Sequence, residues 1–267
     1  MLVVPSINIQ RIISAIAGAV VIIAAAWYAG LPLLILLGII VAFGLREMNA
    51  ILDNMGLRPS AFLAQAGGLI LLAGAYLYMD GYPGPTIAIV LFLHLFFILF
   101  LYPRYTLVDT AGTLFGTFYV GLLYYLYLIR SLEDGWVWLI LLLACTWASD
   151  TCAFIVGKAF GKTPLAPNLS PNKTMEGSLG GILGSVLVAG ILVLFYPHLP
   201  LLKILLLGLF IGIAAIIGDL LESALKRQAG IKDSGSLIPG HGGILDRFDS
   251  AMFTGPLVYY YVVILIL

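Results

Sequence analysis

Charge is scarce in this sequence. Of 267 residues only 10% are charged, 62% are hydrophobic, and the mean hydropathy is +1.10. A water-soluble domain carries about 25% charged residues because its surface must face water. That shortage excludes a soluble globular domain and makes lipid the solvent for much of the chain. Cysteine is nearly absent as well: there are two, Cys145 and Cys152. On a helix they stand roughly 10 Å apart along the axis, too far for a disulfide, so no disulfide framework is available and both read as packed thiols. Neither sign of charge prevails, with 13 Lys and Arg against 13 Asp and Glu. That balance removes any bias toward nucleic acid as a partner. No soluble domain, internal repeat or low-complexity linker interrupts the chain, so residues 1–267 read as a single integral-membrane domain.

What is abundant fits a helix bundle. Thirty glycines allow close helix approach in a membrane. Apolar runs of spanning length lie at about 12–29, 31–45, 61–79, 84–102, 111–129, 136–156, 178–196, 201–222 and 251–267. The runs are continuously apolar and lack the alternation of a transmembrane barrel, so they are helices. The fold class is therefore all-α, a polytopic membrane protein of about nine transmembrane helices. The first run resembles a signal peptide, but eight more follow and it reads as an uncleaved helix. With the N-terminus in the cytoplasm, eleven Lys and Arg fall inside and only Arg130 and Lys203 outside, a strong positive-inside asymmetry. The two longest polar connections, about 157–177 and 223–250, then both face the cytoplasm.

Ionisable residues inside the spans are functional candidates by default. Asp150 lies in the sixth, in TWASDTCAFIVGKAFGK, and Asp219 near the cytoplasmic end of the eighth, in AIIGDLLESALKR. Asp219, Glu222, Ser223 and Lys226 fall at i, i+3, i+4 and i+7, one helical face with two carboxylates beside a cation. Glu47, at the end of the second span, reads as a solvated helix end. The following loop, SALKRQAGIKDSGSLIPGHGGILDRFD, gathers Lys226, Arg227, Lys232 and Arg247 with Asp233, Asp246, Asp249 and His241. Its glycines imply close backbone approach, and Asp246 and Asp249 share a face at i, i+3. Hard oxygens on two converging elements describe a magnesium site that also holds phosphates, and the surrounding cations suit a polyphosphate. The other cytoplasmic loop, NLSPNKTMEGSLGG, sets Lys173 and Thr174 before a glycine-rich helix start, either a phosphate cradle or a plain cap.

Other features are set aside. GKAFGKT lacks the first glycine of a P-loop, because Val156 stands there. Gly157 and Gly161 read as helix packing, His94 as a packed and hydrogen-bonded residue, His198 as incidental. Tyr124, Tyr125 and Tyr259–Tyr261 read as interfacial anchors.

The run from Ser223 to Asp249 resembles the signature of phosphatidate cytidylyltransferases, the CDP-diacylglycerol synthases. The resemblance is carried by Ser223, Leu225, Lys226, Arg227, Lys232, Asp233, Gly235, Ile238, Pro239, then His241–Ile244 and Asp246–Asp249. SDTCAFIVGKAFGK and SPNKTMEGSLGG are also similar to family stretches, Asn172 standing where a basic residue is more usual. The likeness is clear over about 145–255, and the first five spans share only hydropathy. The resemblance implies transfer of CMP from CTP to phosphatidate, giving CDP-diacylglycerol and pyrophosphate, with magnesium as cofactor and room for a second cation. It places the metal on Asp219 and Asp246, with Lys226 and Asp249 as further catalytic candidates. Lys173, Arg227, Lys232, His241, Arg247 and Asp150 are candidates for substrate binding. The expected partners are CTP, phosphatidate and membrane lipid, with no nucleic acid; a homodimer is left open. The expected location is the cytoplasmic (inner) membrane, with the site facing the cytoplasm. An ion-coupled transporter is the rival class, disfavoured because the charges cluster at one face. A CTP-using lipid kinase would release CDP instead of pyrophosphate, and the D-G-x-x-A-R motif of CDP-alcohol phosphotransferases is absent.

The orientation is checked by a cysteine at Gly240 in a chain whose two native cysteines are replaced by alanine. The residue should react with a membrane-impermeant thiol reagent from the cytoplasmic side only; labelling from outside refutes the orientation.

Overall fold

A computed structural model describes residues 9–78, 84–238 and 242–267, without the side chains of 9–13 and 15. Gly240 and His241 lie outside the described residues. The described chain is almost wholly helical: α1 (Ile9–Tyr28), α2 (Gly30–Asn54), α3 (Ala61–Leu77), α4 (Gly84–Leu101), α5 (Leu107–Gly121), α6 (Tyr124–Ser131), α7 (Gly135–Phe160), α8 (Met175–Phe195), α9 (Leu201–Gln228) and α10 (Leu245–Leu265). Two short strands, β1 (Pro164–Ala166) and β2 (Ser170–Thr174), pair antiparallel between α7 and α8. Among the described residues seven helices, with α5 and α6 taken as one, are long and apolar enough to cross a membrane. Ile16–Tyr28 and Ala61–Leu77 are shorter apolar helices. The protein is an all-α polytopic membrane protein.

The apolar runs of the sequence recur as these helices, with one difference. The run at 111–129 is not a single helix: it breaks at Leu122 and Leu123, where Leu123 N–H bonds Val120 O and Tyr125 N–H bonds Leu122 O. These i to i−3 bonds tighten the turn and re-aim the chain. Three helix starts are set by side-chain caps, which satisfy otherwise orphaned N–H groups. Ser60 accepts from Leu63 N, Thr106 from Asp109 N within a capping box, and Thr174 from Gly177 N.

The tightest packing joins α7, α8, α9 and α10 in series, and small residues make it close. A Cβ added at Gly181 would stand 2.9 Å from Ser149 O, and one at Gly218 would stand 2.6 Å from Asp249 O. The second contact brings the backbones of α9 and α10 together where Asp219 and Asp249 project. Gly157 packs close to Gly177, as its spacing predicts. His94 is buried and bonded to Val90 O (2.8 Å) and Thr117 Oγ1 (3.3 Å), also as read from the sequence. The tyrosines differ: Tyr124, Tyr125 and Tyr259 are buried, and Tyr125 donates to Tyr260 Oη at 2.9 Å. They form a packed joint between α6 and α10, beside Tyr260, which stays exposed. Arg130 anchors α1 by donating to Ala26 O (2.8 Å).

Gly218→Val forces a branched side chain against the Asp249 backbone. It should destabilise the detergent-solubilised protein by about 1–3 kcal/mol, as overpacking does, read as a lower thermal midpoint. Gly38→Ala, where an added Cβ meets nothing within 4 Å, should leave the midpoint unchanged or raised.

Candidate active site

The site lies where α9 and α10 meet, at the end of the bundle carrying the β1–β2 hairpin and the loop from 229 to 244. Asp219 and Glu222 face one way on α9 because they are three residues apart, and Asp249 reaches them from the first turns of α10. One carboxylate oxygen of each lies within 4.8 Å of the others. Glu222 is buried, and its Oε1 has no hydrogen-bond partner. Three mutually repelling carboxylates with an unsatisfied buried oxygen are what a small divalent cation relieves, since hard oxygens are its preferred ligands. The donor set therefore fits magnesium.

Cations bound this cluster on two sides. Lys226 pairs with Glu222 one helical turn away, and with Asp246 Oδ1 at 2.6 Å. Lys173, at the end of β2, pairs with Asp219. Asp246 spends its second oxygen on the loop, accepting from Ser234 N (3.0 Å), Ser234 Oγ (2.9 Å) and Gly243 N (2.8 Å). Both its oxygens are thus bonded within the protein, and the third carboxylate of the convergent cluster is Glu222, not Asp246. Periodicity puts Glu222 on the face of Asp219, but the spacing of a loop does not tell which of Asp246 and Asp249 turns toward it.

Two cavities meet at these residues. One, of about 660 Å³, runs between α7, α8 and the hairpin, with Asp150, Phe154, Lys158, Lys173 and Ile216 in its walls. The other, of about 470 Å³, lies under the signature loop, against Glu222, Lys226, Asp233 and Ser236. Asp219, Asp246, Arg247 and Asp249 line both. Asp150 thus shares a wall with Lys173 and the acidic cluster, and Lys158 joins the cations that the sequence singled out.

Arg227 and Lys232 stand elsewhere. The Arg227 guanidinium donates to Leu169 O (3.1 Å) and Ile231 O (3.3 Å), tying the hairpin to the end of α9; neither residue lines either cavity. Thr174 is a plain helix cap, and the Glu176 carboxylate accepts from Lys162 N and Thr163 N. Of that loop only Lys173 turns its charge into the site.

The residue that sequence reasoning misread is Glu47. It is not a solvated helix end. Its carboxylate enters the signature loop and accepts from Ile244 N (2.9 Å), Leu245 N (2.9 Å) and Ser234 Oγ (3.0 Å). The sequence held no signal for this role, because Glu47 stands beside Arg46 and two residues before Asn49 in the polar end of α2.

The description of the cytidylyltransferase family matches residues 9–265, and the chain belongs to that family. It is 39% identical to the phosphatidate cytidylyltransferase of Synechocystis sp., over 96% of this chain and 97% of that protein. The phosphatidate cytidylyltransferase of Staphylococcus aureus is 32% identical over 93% and 96%. That of Bacillus subtilis is 42% identical over 53% and 54%.

Removing one partner of a buried ion pair costs about 3–5 kcal/mol. Lys226→Ala, which strands both Glu222 and Asp246, should lower the thermal midpoint markedly. Arg227→Ala, on an exposed side chain, should lower it much less; equal effects would show that the buried pairs carry no special weight.

Proposed function

We propose that this protein is a phosphatidate cytidylyltransferase, transferring CMP from CTP to phosphatidate with release of pyrophosphate. The observation that carries the reading is the convergence of Asp219, Glu222 and Asp249 where two cavities of different lining meet. A reaction that joins a lipid to a nucleotide needs two such compartments and one shared centre. The cavity walled by Phe154 and Ile216 borders the apolar exterior and suits the lipid. The one under the polar signature loop suits the nucleotide. The names of the relatives support the same substrates.

A phosphatidate phosphate oxygen attacks the α-phosphorus of CTP. The bond from that phosphorus to the β-bridging oxygen breaks, and pyrophosphate leaves with the electron pair. A phosphomonoester is largely dianionic near neutral pH, its second pKa being about 6, so no side chain has to remove a proton. What the protein supplies is alignment of two anions and compensation of their charge. Lys158, Lys173 and Arg247 are placed for the lipid phosphate, with Arg247 also reaching the nucleotide side. We place magnesium on Asp219, Glu222 and Asp249, where it would neutralise phosphate oxygens and stabilise the departing charge. Asp246, expected from the family resemblance to share the metal with Asp219, already gives Oδ1 to Lys226 and Oδ2 to Ser234 and Gly243, which leaves it less free for a cation than Glu222. Asp150 sits close enough to tune the Lys173 side of the lipid cavity. His241 lies outside the described residues and keeps its place as a substrate-binding candidate on the resemblance alone, while Arg227 is better suited to fixing the hairpin. The bundle forms one catalytic domain of nine membrane passes in the cytoplasmic membrane, N-terminus and site toward the cytoplasm, as the distribution of Lys and Arg supports.

The test is pyrophosphate release by purified protein given CTP, phosphatidate and magnesium in detergent. Release should need all three, and chelation should abolish it. Formation of CDP in place of pyrophosphate, or turnover without phosphatidate, overturns the assignment. Asp219→Asn and Asp249→Asn should each lower the rate at least 100-fold, and the double variant little further, because the residues act as a unit. Near-normal magnesium-dependent turnover in either removes that residue from the site.

A further inference from the structure

The Glu47 carboxylate does more than satisfy its own burial. It comes from α2, far from the signature in sequence, yet all three of its hydrogen-bond donors belong to the signature segment. Two of them, Ile244 N and Leu245 N, open α10, whose N-cap residue provides no capping side chain. An anion there completes orphaned N–H groups and meets the positive end of the helix, so Glu47 caps α10 from another helix. The third donor, Ser234 Oγ, lies 3.0 Å from Glu47 Oε2 and 2.9 Å from Asp246 Oδ2. One hydroxyl proton is shared between two carboxylates, which fixes their separation.

The loop is shaped for this insertion. A Cβ added at Gly235 would stand 2.6 Å from Glu47 Oε1, and one at Gly243 would overlap both Glu47 Oε2 and Ser234 Oγ. From Glu47 an unbroken series of polar contacts runs through Ser234, Asp246 and Lys226 to Glu222 in the acidic cluster. A carboxylate needed only for helix stability would have no reason to be wired to that cluster.

We propose that Glu47 is a positioning residue for cytidylyl transfer: it sets the start of α10, and through Ser234 the orientation of Asp246, and so holds the carboxylates of α9 and α10 in register. The role in turnover rests on the function proposed above. The clamp itself does not, and the two are separable by experiment.

Glu47→Gln keeps the size of the side chain but sets an amide NH₂ against donors that need an acceptor. In the full-length protein in detergent, hydrogen exchange at residues 242–247 should accelerate at least tenfold while the other helices exchange as before. For cytidylyl transfer, kcat per folded protein should fall at least tenfold and the magnesium midpoint should rise, with KM for phosphatidate within twofold of wild type. A merely structural residue would reduce the folded fraction and leave these constants intact. Ser234→Ala keeps both backbone contacts of Glu47 and the backbone N–H bond from position 234 to Asp246, and removes only the hydroxyl that bridges the two carboxylates. It should fold normally, show a smaller loss of kcat with the same direction in the magnesium midpoint, and add little to Glu47→Gln in the double variant. Asp53→Asn, an exposed acid on the same helix, should change nothing. If Glu47→Gln fails to fold, Ser234→Ala decides. Wild-type kinetics and magnesium dependence in Ser234→Ala overturn the proposal, as does unchanged exchange in folded Glu47→Gln. If the wild-type protein transfers no cytidylyl group, the functional reading fails, and the exchange comparison still decides the clamp.

Discussion

The ammonium group of Lys226 holds the site together. It sits between Glu222 on its own helix and Asp246 on the next, in a place where two carboxylates alone would repel. Removing ions from water costs several kcal/mol each, recovered only when geometry and further hydrogen bonds are good. Here both conditions are met on the Asp246 side, where Ser234 and Gly243 complete the carboxylate. Glu222 keeps one oxygen without a hydrogen-bond partner. The protein thus uses one internal cation to gather acids and leaves part of their bonding capacity open for another.

Much of the architecture was legible because a membrane imposes simple rules. Spanning helices need long apolar runs, and the boundaries of α3, α4 and α8 fall within a few residues of them. The break between α5 and α6 was not legible, because no proline marks it; Gly121, at the end of α5, is where Leu71 of α3 packs close. The face shared by Asp219, Glu222 and Lys226 follows from helical periodicity. The choice between Asp246 and Asp249 as the acid turned toward that face does not. Asp246 is drawn aside by bonds to Ser234 and Gly243, and these depend on the path of a loop that has no periodicity. Glu47 was invisible for a related reason. Its partners lie 187 to 198 residues away, a separation at which sequence pattern carries no information about pairing.

The described helices also divide labour by composition. α4 is exposed along most of its apolar surface, with Phe92, Phe96, Leu99 and Phe100 outward, while α7 to α10 are joined through glycine contacts and carry every acid of the cluster. Backbone close to backbone leaves little freedom for one helix to slide on another. An acidic cluster whose members come from two helices needs that rigidity, because a small shift between the helices would pull its carboxylates apart.

The Glu47 contact also bears on how the chain is made. Its carboxylate emerges from the ribosome at least 187 residues before Ser234, Ile244 and Leu245. At roughly 5–20 residues per second, that delay is on the order of 10–40 seconds. Throughout it α2 must wait at the membrane boundary with an ion that has none of its eventual partners. The acidic cluster itself is incomplete until α10, which carries Asp249, has been synthesised and docked. The closing of Glu47 onto the loop therefore follows the synthesis of the start of α10.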